Sequence, residues 1–181
     1  MPDALEVAAQ LDQELRAKGS LRPLHCIPMV IKDQMDTADL RTTDGSLTQF
    51  LDDRPPLDGT LVAKLRAAGA IIIGKANMDE YAAGNQRSSY GGMICNPYAT
   101  DRNGGSSSTG SAAAPSANLA VCGIAEESLG SVREPGAKQN VVAMTATRGL
   151  VSRSGTWGRT SFANGSGRNA AASRTSRKSW T

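Results

Sequence analysis

The sequence predicts a single domain of the α/β or α+β class, and three observations carry that expectation. Leu5, Ala8, Leu11 and Leu15 recur at helical spacing; TLVAKLRAAG leads directly into AIIIGK, a helix followed by a β-branched strand; and CIPMVIK and AVCGIAEE are short apolar runs that end in polar turns. A chain of 181 residues, 39% of them hydrophobic, can enclose one core.

Taken in order, the first helix runs from Asp3 and stops at Gly19, with an apolar stripe that needs a covering surface. Residues 26 to 32 read as a buried strand that empties into DQMDTADLRTTDGS, so Lys32 falls at the strand's C-terminal end. A capped helix from Thr60 ends at Gly69, and residues 70 to 75 form the strand after it. Asn77 is expected to cap a short helix, MDEYAA, and residues 84 to 110, rich in Gly, Asn, Ser and Pro, to form a long surface loop. SAAAPSANLA carries strong helix formers, with Pro115 tolerable only in the first turn. Residues 120 to 132 then read as a strand entering a tight Gly-Ser turn, and NVVAM with GLVSRSG adds strand-forming sequence.

Charge divides the chain. All 17 acidic residues precede Pro135, and beyond it only lysine and arginine occur. The segment 158–181 has almost no aliphatic residues and no apolar period, so it is expected to be a disordered basic tail after a folded portion, 1–157. Its aromatic residues, Phe162 and Trp180, are too few for a base-stacking platform, which argues against a nucleic-acid partner. No apolar run approaches the about 18 residues a membrane span needs, and the N-terminus lacks a signal-peptide core, so a cytoplasmic protein without a membrane partner is expected. Cys26, Cys95 and Cys122 are far apart and form no CxxC pair, and His25 is the single histidine, so neither a metal nor a cofactor is expected.

The run NGGSSSTGSAAAPSANL, residues 103 to 119, can be a slack linker or part of a site. It leads through a helix former into an apolar strand rather than to a domain boundary, which favours the site. A second serine turn, Ser128-Leu129-Gly130-Ser131, follows that strand. A serine hydroxyl attacks an acyl carbon only when a base takes its proton, and without a usable histidine the remaining choice is a desolvated, neutral lysine such as Lys32.

Read together, LHCIPMVIKDQMDT, AGAIIIGKANMDEYA, CNPYATDRNGGSSSTGSAAA and EESLGSVREP resemble, in order and spacing, the amidase signature family of serine hydrolases, from about Leu24 to Gly155. The resemblance implies an amidase-signature-like mixed β-sheet flanked by helices, incomplete at the C-terminal side because family members are much longer. It implies Ser131 as nucleophile, Ser107 as bridging serine after a cis peptide bond, and Lys32 as base. Ser108 and Arg133 would support them, and the backbone N–H groups of Ser128, Leu129, Gly130 and Ser131 would hold the oxyanion. The implied activity is hydrolysis of a small-molecule carboxamide to a carboxylic acid and ammonia or an amine, with a homodimer left open. Two alternatives stand beside it: the A subunit of a tRNA-dependent amidotransferase, and an inactive truncated fragment whose reading frame shifts near residue 157. Ser106 and Leu129, where the family has glycine or, at Leu129, an acid, are expected to alter the oxyanion pocket. Cys26, Thr145 and Ala146 also depart from its common Gly, Lys and Pro.

Overall fold

The computed structural model describes residues 4–47 and 54–157, and the backbone of 168–173. Helix α1 spans Ala4–Lys18 and ends where Gly19 turns to φ +65° and donates its N–H to the Leu15 carbonyl at 2.8 Å. It packs on the second strand with Leu11 buried, whereas Leu5 remains exposed. Strand β1 is Pro28–Lys32, α2 is Thr60–Ala67 and β2 is Ile71–Ala76. The cap of α2 is the backbone of Gly59, with no side-chain cap bond.

Between β2 and the serine run, the structure departs from the expected helix and loop. Residues Glu80–Ala82 form a single 3₁₀ turn in which Tyr81 is left-handed. Asp79, not Asn77, precedes that turn, and the Asn77 side chain accepts the N–H of Met78. Tertiary contacts override the local pattern: Asp79 N–H donates to the Ser107 carbonyl, and Tyr81 N–H to the Asp44 carbonyl. The expected long loop is two small antiparallel ribbons, β3 (Arg87–Ser88) with β4 (Gly92–Met93) and β5 (Cys95–Asn96) with β6 (Ala99–Asn103).

Helix α3, Thr109–Ser116, carries Pro115 in its last turn, not its first. The helix ends one residue later, so the missing N–H removes only one late backbone bond, and the expectation of a first-turn proline was too strict. Strand β7 is Cys122–Glu127, α4 is Arg133–Lys138 and β8 is Val142–Thr145. GLVSRSG forms turns rather than strand. Strand β9, Arg168–Ser173, falls within the segment expected to be a disordered tail; the rest of that segment lies outside the described residues. Its composition cannot build a core, but its backbone pairs with strands already formed on either side.

Strands β1, β2, β7, β8 and β9 make one mixed sheet in the order β2-β1-β7-β9-β8. Strands β2, β1 and β7 are parallel, and β9 runs antiparallel to both β7 and β8. Strand alternation sends Met29, Ile31, Ile72 and Ile124 to one face, where Val62 of α2 closes the main core. Val30 and Ala76 face the other way, against Ala114 of α3. Full burial of each large aliphatic residue stabilises the fold by about 1.5–3 kcal/mol.

Small residues bring α3 close to the sheet. The Ser111 hydroxyl donates to the Ile124 carbonyl at 3.0 Å, and a Cβ on Gly123 would lie 1.9 Å from the Ser111 carbonyl oxygen. Gly123→Ala therefore forces helix and strand apart and is expected to destabilise the protein by about 3 kcal/mol, read as a lower denaturant midpoint.

Candidate active site

Because β1 and β7 are parallel neighbours, with Ile31 level with Ile124, their carboxyl ends open at the same edge of the sheet. Lys32 ends β1 and Glu126 and Glu127 end β7. The segment that leads into α3 lies over both. Such an edge is where open α/β sheets place their ligands.

The Lys32 side chain has no exposed surface, and its Nζ donates to Ser107 Oγ at 2.8 Å and to the Glu126 carbonyl at 3.3 Å. Glu126 Oε2 lies 3.7 Å away, also closed to solvent. Burial pulls the Lys32 pKa below its ordinary range, while Glu126, Asp44 and Asp79 oppose that pull. The Ser106–Ser107 peptide bond is cis, as the resemblance implies.

Residues 104 to 109 are fixed from several sides. Gln139 Nε2 donates to the carbonyls of Gly104 at 2.7 Å and Thr109 at 3.0 Å, and Thr109 Oγ1 donates to the Gly105 carbonyl. The Ser106 hydroxyl donates to the Asp79 carboxyl. Ser108 joins both halves of the site: its N–H donates to the Ser131 carbonyl at 3.2 Å and its hydroxyl to the Glu126 carbonyl at 3.0 Å.

The structure thus brings Lys32 into direct contact with Ser107, and Lys32 and Ser108 both donate to the Glu126 carbonyl. Ser131 is half-buried in the adjoining turn and reaches them through its backbone; no hydrogen bond joins its hydroxyl to Ser107 or Lys32 among the described residues. Ser128 Oγ donates to Glu126 Oε1 at 3.1 Å, and Gly130, at φ +139°, adopts a conformation that favours glycine. Leu129 is 95% exposed and points out of the turn rather than into the pocket. Arg133 pairs through Nε with Glu127 Oε1 at 2.7 Å, and Glu127 Oε2 accepts the N–H groups of Val132 and Arg133. Burial pushes the Glu127 carboxyl up, but those N–H groups and the guanidinium together hold it below the usual range.

Sequence reasoning did not single out Glu126, Glu127, Asp44, Asp79 or Gln139. The Glu-Glu pair directly before the serine turn was the available signal, since two acids ending an apolar strand need partners. His25 lies before β1, at the opposite end of that strand from Lys32, and both its ring nitrogens are buried without a hydrogen-bond partner. That position removes it from the serine chemistry. Among the described residues no group of three or more His, Cys, Asp or Glu could hold a metal ion, and no helix is long and apolar enough to cross a membrane.

A parallel sheet edge that closes a lysine against a serine places this chain among α/β proteins with a polar site at the strands' carboxyl ends. The chain belongs to the amidase family, whose profile matches residues 1–170. It is 44% identical over 155 residues to the A subunit of the glutamyl-tRNA(Gln) amidotransferase of Heliobacterium modesticaldum, a match covering 84% of this chain and 31% of that relative. Its counterpart in Geobacter sulfurreducens is 43% identical over 157 residues, covering 85% and 32%. Among solved structures, the peptide amidase PAM bound to the competitive inhibitor chymostatin superposes with a TM-score of 0.86 at 40% identity, covering 96% of this chain and 36% of that one. An amidase family protein from Bacillus anthracis gives a TM-score of 0.80 at 35% identity, covering 86% and 32%. The chain therefore spans about a third of the length of the curated relatives it matches.

Asp44 is a buried carboxyl facing this site, with Oδ1 unpartnered. Burial, reinforced by Asp33, Glu126 and Glu80 and opposed by Lys32, pushes its pKa up to about 7. Its folded pKa lies above the unfolded value, so stability falls as pH rises from that value through about 7, and the penalty is complete above it. Asn tolerates the left-handed backbone at this position, φ 53°. Asp44→Asn should therefore raise stability by about 4 kcal/mol above about pH 7, by about half as much at about pH 5.5, and change it little only at about pH 4 or below, measured by denaturant unfolding across that range.

Proposed function

We propose that this chain carries the serine–lysine chemistry of a carboxamide hydrolase: Ser131 the nucleophile, Ser107 the proton bridge and Lys32 the base. The observation that carries this reading is the 2.8 Å contact between the fully buried Lys32 Nζ and Ser107 Oγ. A solvated lysine is an ammonium at neutral pH and can accept nothing. One buried against a hydroxyl can be neutral, and then takes a proton through that hydroxyl.

The reaction starts with neutral Lys32. Ser131 Oγ bonds to the amide carbon while its proton passes to Ser107, whose own proton passes to Lys32. The tetrahedral oxyanion rests on backbone N–H groups of the Ser128–Ser131 turn, each such donor lowering the barrier by about 3 kcal/mol in comparable sites. The C–N bond then breaks as Lys32 returns the proton through Ser107 to the departing nitrogen, which leaves as ammonia or an amine. Water, deprotonated by the same route, attacks the acyl-serine and releases the carboxylic acid. No group beyond these side chains and water is needed to balance the steps.

Ser108 and Arg133 act as supports in this reading, Ser108 by tying the bridging segment to the nucleophile turn and Arg133 by anchoring Glu127. A small-molecule amide is the proposed substrate. The relatives named as amidotransferases and the neighbours named as amidases agree on amide nitrogen chemistry, and no observation in the site favours the amidotransferase role over hydrolysis. A cytoplasmic setting is proposed with it, consistent with three free cysteines.

Labelling with a serine-directed fluorophosphonate tests the assignment on the full chain. The native protein is expected to label, Ser131→Ala not to label, Lys32→Ala to lose at least about 100-fold in rate at neutral pH, and His25→Ala to label nearly as the native chain does. Strong labelling of Ser131→Ala, or a crippling effect of His25→Ala with a mild one of Lys32→Ala, would overturn it.

A further inference from the structure

Glu126 is the residue at the site that the proposed reaction leaves without a task. Its backbone carbonyl accepts from both Lys32 Nζ and Ser108 Oγ. Its carboxyl spans the two working parts, with Oε2 at 3.7 Å from Lys32 Nζ and Oε1 accepting from Ser128 at 3.1 Å. Both Lys32 and Glu126 are closed to solvent, so neither salt nor water screens the pair.

We infer that Glu126 is a positioning residue that sets the pH at which Lys32 becomes a base: its carboxylate favours the ammonium form and raises the pH at which serine activation sets in. This rests on the serine–lysine reading given above and adds to it the pH regime in which the site works. An opposite charge within about 4–6 Å moves a titration by about one to three pH units in favour of the charged form. Here that form is the inactive one, because a base must be unprotonated to accept the serine proton.

The other groups facing Lys32 make Glu126 the principal one. Asp44 approaches from the loop after β1 and Asp79 from the segment after β2, and both favour the ammonium. Asp79 is engaged by the Ser106 hydroxyl, and neither forms an ion pair with Lys32. Asp33, next in sequence, faces elsewhere, toward Thr43, the Gly45 N–H and Lys75. Helix α3 and its lead-in present only the hydroxyls of Ser107 and Ser108, and α3 itself, TGSAAAPS, carries no charge. Asp44 acts in the same sense as Glu126 once it ionises.

The test compares the native 181-residue chain with Glu126→Gln and Glu126→Asp. Glutamine keeps the length and the acceptor for Ser128 but removes the charge; aspartate keeps the charge. Two readouts are taken across about pH 5 to 10: the rate of fluorophosphonate labelling, and the ¹³Cε-lysine NMR titration of Lys32, assigned by its loss in Lys32→Met. The native chain is expected to gain labelling along an alkaline limb. Glu126→Gln should move both limb and NMR midpoint down by about one to three pH units, and Glu126→Asp should leave them within about one unit.

A purely structural role would lower labelling at every pH without moving the limb. An unmoved midpoint in Glu126→Gln, or equal shifts in Gln and Asp, overturns the inference. Should Glu126→Gln not fold, Glu126→Ser is titrated in its place: a Lys32 midpoint lowered by about one to three pH units supports the role of Glu126, and an unmoved one overturns it. Lys32→Met labelled like the native chain at every pH would instead sink the serine–lysine reading itself. Lys32-dependent labelling with an unmoved limb removes only the role of Glu126.

Discussion

The structure is organised around a lysine nitrogen withdrawn completely from water. An ammonium in such a place loses several kcal/mol of hydration, so Lys32 is tolerable only where acceptors and countercharge are supplied or where it sheds its proton. Each neighbouring element answers that demand. The C-terminal end of β1 sets the direction of the side chain, and β7 offers both a carbonyl and a carboxyl from Glu126. The run before α3 brings the Ser107 hydroxyl to 2.8 Å. Gln139, from the end of α4, ties that run at Gly104 and Thr109, so the acceptor cannot drift away from the lysine.

The sheet makes this meeting possible through register and residue size. Parallel pairing of β1 with β7 brings Lys32 and Glu126 to one edge although they are far apart along the chain. The serine run is held over that edge because α3 packs with serine, alanine and glycine against Gly123, where a side chain on either surface would keep the helix back. The density of small residues in NGGSSSTGSAAA is thus a packing requirement as well as a source of hydroxyls. Composition alone reads the same residues as a flexible connector.

Much of this was legible in the sequence, and the limits have physical causes. Alternation and helical spacing located α1, β1, α2, β2 and β7, because each turns at least part of a regular apolar pattern to the core, although in α1 only Leu11 is buried. The site residues Lys32, Ser107 and Ser108 came from order and spacing of motifs, and the fold bonds Lys32 to Ser107 and gathers Lys32 and Ser108 at one carbonyl. Ser131 joins through its backbone, with the hydroxyl unengaged by Ser107, a detail of rotamer that spacing does not encode. Tertiary pairing decided what the period did not. Asp79 replaced Asn77 at the 3₁₀ turn because the Ser107 carbonyl claims its N–H, and the expected long loop folds into ribbons too short to show alternation. Asp44 is unmarked in its polar loop, and the Glu126–Glu127 pair at the end of an apolar run was the one available sign of buried charge.

Strand β9 has a consequence for how the molecule comes together. It separates β7 from β8, so the sheet receives its fourth strand from a segment made long after both neighbours. Until Arg168–Ser173 arrives, β7 presents an unpaired backbone row and β8 has no strand beside it. Closing that separation costs entropy before any pairing rewards it, and slows assembly. During synthesis the nascent chain would display a naked border on the strand that carries Glu126, and pairing of that border with another copy is the hazard such intermediates face.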